Sequence, residues 1–326
     1  KEESKNFFET MLKKSFKEIF RVLKNKGIAV IVFAHKSTDA WETIIRALSD
    51  SGFIITATWP VDTEKATRLN AQSTAALASS IYIVCRKMKK EPHESYNNVK
   101  KEMQEYLDKK LDFLWDEDIR GADFFISAIG SAIEVFGKYE KITDNADNEI
   151  KVPQLLEDVR KIVSEYAIKK VLRGDISGKI STMTRFYVLW RSAYGQAKVP
   201  YDDARKLATS LGVNLEQEWN KGFIQKDKEF VRVIGPEDRS VDEIKEPIEL
   251  IDVLHKVLIL WRNGKKEEYE KLLIDTEYAN NDTFRRVAQA ISESLPNEIQ
   301  EKKWLDGFLT GFTDSGKTDG KQTKLF

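Results

Sequence analysis

Apolar residues Phe7, Phe8, Met11, Leu12, Phe16, Ile19, Phe20 and Leu23 recur at three- and four-residue steps, the period of a helix with one buried stripe. The pattern predicts an amphipathic helix over 7–23, with Gly27 as its stop. It then changes character. Ile28 to Ala34 is an unbroken apolar run rich in β-branched residues, which predicts a strand covered on both faces of a parallel sheet. Asp39 precedes a predicted helix over 40–48 that closes at Ser51 and Gly52. A second strand is predicted over 53–59 and breaks at Pro60, and a third over 80–85 ends at the cluster Arg86 to Lys90. Helix, strand, helix, strand, long loop, strand is the order of half an open α/β sheet, and one half cannot close a core alone.

Beyond residue 95 the helical period dominates. Helices are predicted near 95–115, 122–137, 153–172, 181–194, 202–211, 249–262, 265–274, 281–293 and 297–310, with Pro153, Gly174, Asp202 and Gly212 as start or stop residues. Phe223 to Val233 predicts a small hairpin turning near Lys226, Asp227 and Lys228. The resulting division is an α/β part at 1–90, a helical domain at 91–312 and a polar tail at 313–326 in which no structure is predicted.

Charge sharpens this division. The chain is neutral overall, with 53 basic and 53 acidic residues, so nothing pulls it as a whole toward nucleic acid. Residues 1–90 nevertheless hold 16 Lys and Arg against 9 Asp and Glu, a net of +7, which leaves −7 on the other 236 residues. The single cysteine, Cys85, excludes an internal disulfide and a cysteine-rich zinc site, as expected of a protein of the reducing cytoplasm. No apolar run approaches the roughly 20 residues that span a bilayer, so no membrane partner is expected. The chain begins at Lys1 inside what reads as a helix already under way, as a fragment would.

Few motifs survive inspection. Gly311 to Thr318 matches the phosphate-loop pattern letter for letter, but a helix precedes it instead of a strand and only polar residues follow, so the match is assigned to chance. No two of the sixteen glycines are separated by one residue, so the Gly-x-Gly fingerprint of dinucleotide folds is absent. His35, His93 and His255 lie far apart without partners at metal-ligand spacing, and no metal is expected. His255 reads as a packed or rim residue and His93 as a solvated one. Asp202 to Val213, followed by Asn214 to Trp219, has a helix-turn-helix cadence, although Glu216 and Glu218 make the second helix acidic and favour a structural or protein-binding role.

The candidate site follows from topology. In an open sheet the ligand crevice lies beyond the carboxyl ends of the strands, where His35, Lys36, Ser37 and Thr38 emerge from the first strand. Thr38 or Asp39 also suits capping of the next helix, a compatible role. Trp59 ends the second strand and either stacks on an extruded base or plugs the core. If the third strand is antiparallel, the loop from Trp59 to Ser79 borders the same crevice and brings Arg68, Asn70, Gln72 and Ser73, donors for phosphates or base edges.

Taken together, the strings Phe20–Gly27, Ala34–Glu42, Gly52–Val61 and Ala75–Tyr82, with the later Arg120–Gly130, Thr184–Trp190 and Asp203–Ala208, resemble the carboxyl-terminal portion of the large adenine-specific DNA methylases, a family sometimes linked to phage defence. The resemblance covers most of residues 7–310. It implies the carboxyl-terminal half of a Rossmann-like class I methyltransferase sheet, strands five to seven within residues 28–85, followed by a mainly α-helical domain. It implies methyl transfer from S-adenosylmethionine to the exocyclic amino group of adenine in DNA, with RNA also open. His35, Lys36, Ser37, Thr38, Trp59, Arg68 and Gln72 would then line the target side of the cleft.

The chain departs from that family in three ways: it has no Asp/Asn-Pro-Pro-aromatic motif, no glycine loop for the donor and no zinc ribbon. Catalytic and donor-binding residues are therefore expected upstream, in an amino-terminal half that is a required partner, and this chain alone is expected to be inactive. The competing reading is a non-enzymatic helical module that assembles with a phage-defence or nucleic-acid-processing protein; the +7 segment favours the first and the acidic remainder the second.

Overall fold

A computed structural model describes residues 2–33, 38–62, 79–119, 121–174, 180–247 and 249–315. The chain divides into two compact units, Lys1–Ser164 and Glu165–Phe326.

The first unit opens with α1 (Glu2–Val22), β1 (Ile28–Phe33), α2 (Thr38–Asp50), β2 (Ile54–Asp62) and β3 (Ser79–Arg86). It continues through β4 (Glu94–Ser95), α3 (Tyr96–Asp116), α4 (Gly121–Phe136), β5 (Ile142–Thr143) and most of α5 (Val152–Val171). The predicted order of elements holds, and the topology adds what periodicity could not. The sheet runs β1-β3-β2, with β3 antiparallel to both neighbours, so β1 and β2 are parallel to each other with α2 between them in sequence. In register, Ile31 and Thr58 both face Ile83, while Val32 and Trp59 both face Tyr82.

The two faces of this sheet differ. Ala29, Thr58, Ile81, Ile83 and Cys85 are buried, as are Ile44, Ile45 and Leu48 of α2, each such aliphatic side chain contributing about 1.5–3 kcal/mol. Burial pushes the Cys85 thiol up to about 12, which leaves it an inert packing group. On the other face Ile28, Val30, Val32, Trp59 and Val61 remain largely exposed. The expectation that the first strand is covered on both faces of a parallel sheet is thus corrected: among the described residues β1 is an edge strand, antiparallel to its neighbour, with one face open. Pro60 does not end the second strand either. It pairs in register with Ile81, and an edge strand accommodates proline because the missing N–H would point outward.

The helices α3 and α4 pack on each other, and α4 on β2, within the first unit. Met103, Leu107, Leu111 and Leu114 form the buried stripe of α3, whose amino terminus is capped by the Ser95 hydroxyl. Gly130 of α4 lies close against β2: a Cβ there would lie 2.8 Å from the Thr58 side chain. Only glycine permits that approach.

The second unit comprises α6 (Thr182–Tyr194), β6 (Val199–Pro200), α7 (Tyr201–Ser210), β7 (Ile224–Asp227), β8 (Phe230–Val233), α8 (Leu250–Arg262), α9 (Lys266–Asp275), α10 (Asp282–Ser294) and α11 (Gln300–Ser315). The apolar α8 is central, burying residues all round its axis against α6, α9, α10 and α11. The expected hairpin is β7 and β8, with Lys228 in the left-handed region at the turn. The helix-turn-helix cadence is not realised: α7 forms, but residues 214–219 stop at i→i+3 turns, the Gln217 N–H to the Asn214 carbonyl and the Glu218 N–H to that of Leu215, and no second helix follows. Helix α11 extends to Ser315, so Gly311 to Ser315 of the phosphate-loop match are helical and no strand feeds them. Among the described residues no helix is long and apolar enough to cross a membrane.

Candidate functional site

His35, Lys36, Ser37, Arg68 and Gln72 lie outside the described residues. Thr38 forms the first residue of α2, and the orientation of its side chain is likewise outside them. Trp59 is therefore the one predicted site residue whose surroundings are defined, and it sits in a cluster that the sequence did not reveal.

Trp59 projects from the open face of β2 with 47% of its surface exposed. Lys110 of α3 lies over its ring, 4.4 Å from the centroid, and also approaches Phe113, 5.5 Å from that centroid. Phe113 is itself largely exposed. The core-plug reading of Trp59 fails on this geometry: its ring is a solvent-facing platform with a cation across it, an arrangement worth about 0.5–1 kcal/mol at an exposed position.

Behind the platform lies a carboxylate. Glu134 of α4 accepts the Thr58 N–H at 3.0 Å and the Thr58 hydroxyl at 3.3 Å on one oxygen, and the Tyr106 hydroxyl at 2.5 Å on the other. The Thr58 N–H is one that an edge strand leaves without a ladder partner, so Glu134 also closes this side of the sheet. Burial lifts the Glu134 pKa above the usual carboxylate range, against the Tyr106 hydrogen bond, the Lys110 charge and the two Thr58 donors, all of which pull it down. Burial together with Glu134 raises the Tyr106 pKa. Glu134 and Tyr106 line a cavity of about 290 Å³ bounded by Ile54, Thr56, Met88 and Lys138. A hydrogen-bonded, partly desolvated carboxylate in a cleft is able to accept a proton or orient an amino group, and the neighbouring aromatic and cationic surface suits a base and its phosphate.

The sequence does contain a signal for Glu134. It is the one ionisable residue between Phe124 and Phe136, a stretch otherwise made almost wholly of buried apolar side chains. A lone carboxylate on such a helix must find donors.

A second polar cluster lies in the other unit. Arg191, Tyr187, His255 and Glu301 are all fully buried. Tyr187 donates its hydroxyl proton to Glu301 at 2.5 Å and accepts from Arg191 Nε and Nη2 at 3.1 and 2.9 Å. Arg191 Nε is 2.9 Å from Glu301, and Nη1 donates to the carbonyls of Gly195 and Val233. Arg239 Nη1 lies 3.0 Å from His255 Nδ1 and 2.7 Å from Asp252. Arginine only donates, so Nδ1 accepts and the imidazole proton resides on Nε2, directed at Tyr187 3.0 Å away. Desolvation, with Arg239 and Arg191 adding to it, holds the His255 pKa well below its usual value, in agreement with a packed histidine. His93 is exposed, as expected, with Thr143 at 2.8 Å. No group of metal-ligating residues assembles among the described residues.

No known protein family matches the chain, and no match was found among curated proteins or solved structures.

Proposed function

We propose that the first unit is the closing half of the sheet of a nucleic-acid adenine methyltransferase, and that Trp59, Lys110 and Phe113 form part of its target-side wall. One observation carries the reading: β3 lies between β1 and β2 and opposes both, the order in which class I methyltransferase sheets end. The largely exposed apolar face at Ile28, Val30 and Val32 and the unpaired edge of β1 among the described residues support it, since further strands and helices would cover both. The substrate class is single-stranded or extruded adenine in DNA, whose base would stack on Trp59 while Lys110 meets the backbone.

The residues present do not fit the methyl donor. The chain has no Gly-x-Gly loop, and the cluster at Trp59 offers an aromatic and cationic surface instead of a glycine cradle. On this reading S-adenosylmethionine binding belongs to an amino-terminal half, and this chain alone transfers no methyl group. The test is a mobility-shift titration of a single-stranded oligonucleotide. Trp59→Ala and Lys110→Ala should each weaken binding at least about fivefold, the lower end of a base-stacking contribution, and Lys110→Ala should flatten the salt dependence. Unchanged affinity in both variants would remove the proposed wall.

A further inference from the structure

A larger cavity lies in the first unit beyond the amino-terminal end of β2, away from Trp59. It encloses about 430 Å³, within the range of small-molecule sites, and its walls are mostly apolar, with Phe53, Ile55, Ile133, Phe136 and Ile142 among them. Lys90 enters this wall half-buried. Its ammonium group makes one hydrogen bond among the described residues, to Ser49 Oγ at 3.2 Å, and so keeps two N–H donors without an acceptor.

The acids around the cavity differ from Lys90 in their access to water. Glu140 and Glu149 are exposed, and Asp50 is largely exposed and paired with Lys13 at 2.7 Å. Arg46 and Lys151 are exposed too, so Lys90 is the half-buried one among the charged side chains that line the cavity, and burial shifts its pKa downward against the pull of Asp50 and Glu140. An occupant that restores full solvation to Lys90 carries an acceptor with negative charge; one that fills the rest carries an apolar body. A dianionic phosphate would also face Asp50 and Glu140, which favours a single negative charge.

We propose that this cavity is a binding site for a small amphipathic monocarboxylate, its carboxylate on Lys90 and its apolar body against Phe53, Ile55, Ile133 and Phe136. The proposal does not rest on the methyltransferase reading. The ligand bridges α2, β2 and α4, so it raises the unfolding temperature of the chain in proportion to its occupancy.

The experiment is calorimetric titration and thermal unfolding of the full chain with 4-phenylbutyrate, its primary amide and the matching amine. The acid should bind at least about tenfold tighter than the amide and raise the unfolding temperature, and the amine should bind no better than the amide. Lys90→Met should abolish the preference for the acid. Equal binding of acid and amide, stronger binding of the amine, or no binding of the acid up to about 5 mM would overturn the proposal. So would an unaltered preference in a folded Lys90→Met chain. If that variant does not fold, the comparison of acid with amide on the unaltered chain decides.

Discussion

Two tyrosine–glutamate pairs with the same 2.5 Å separation occupy the two units, and their surroundings differ in almost every other respect. Tyr106 and Glu134 border a cavity and stand behind an exposed tryptophan, with a lysine whose ammonium group spans two aromatic rings. Tyr187 and Glu301 are sealed in a core, where Arg191 meets both of them and two backbone carbonyls, and His255 closes the arrangement. The first pair is partly open and has a cation free to exchange partners. The second is fully buried, with its hydrogen bonds directed at its own members and at two backbone carbonyls. The same pair thus lines a cavity in one unit and is locked in the core of the other, and burial makes the distinction.

The largest effect expected from this contrast is in the buried cluster. Arg191→Met leaves the Glu301 carboxylate without its cation, and chemical denaturation should show a loss of about 3–5 kcal/mol. A loss below about 1 kcal/mol would mean that the two pairs are energetically alike. Next comes the contact that holds the open pair in place. Gly130→Val drives a side chain into Thr58, which Glu134 grips, and should cost about 1–3 kcal/mol by overpacking. An unchanged unfolding midpoint would show that α4 can move off β2 freely.

The third effect is a pH dependence. His255 is buried and neutral, packed against Tyr187, Arg191 and Arg239, and its folded pKa lies well below the unfolded value of about 6.5. Its contribution is fully present above pH 6.5 and declines as the pH falls from there toward the folded pKa, by up to about 1.4 kcal/mol per pH unit. Thermal unfolding of the chain followed from pH 7.5 to 5 should show that decline, and His255→Gln should flatten it. Glu301 acts in the opposite sense: burial raises its folded pKa, so its contribution is lost as the pH rises above the ordinary carboxylate range. The smallest effect is at the rim, where Lys110→Met should change stability by less than about 1 kcal/mol, because its cation–π contacts are exposed.

Much of the fold was legible in the pattern of apolar positions. The strand at 28–33 and the helices at 182–194, 250–262 and 282–294 lie within a residue or two of where periodicity put them, since each is either an uninterrupted β-branched run or a stripe at helical spacing. Strand order was not legible. Ile28 to Phe33 has the composition of a strand buried on both faces, and nothing in that composition states which neighbours it has. Asn214 to Trp219 misled for a local reason: the Asn214 side chain accepts the Glu216 and Gln217 N–H groups as a helix cap would, but the turn it opens closes i→i+3 and is not propagated. At the candidate site, Trp59 was legible as a strand residue, although the strand runs on through Pro60 to Asp62. Lys110, Phe113 and Glu134 were not, because they reach it from helices more than forty residues further along the chain. Their sole trace in the sequence is a glutamate where the helix pattern asks for an apolar residue. Arg191 and Glu301 left the same trace in α6 and α11.

The central place of β3 also governs when the first unit can assemble. In a growing polypeptide β1 and β2 emerge first, yet neither pairs with the other; each waits for residues 79–86 to supply its hydrogen bonds. Ile28 must find Arg86 across the whole length of the sheet segment, a non-local closure that slows folding. Until the ribosome has released that third strand, the nascent apolar runs depend on α1 and α2 for shelter, and a chaperone would find its target there.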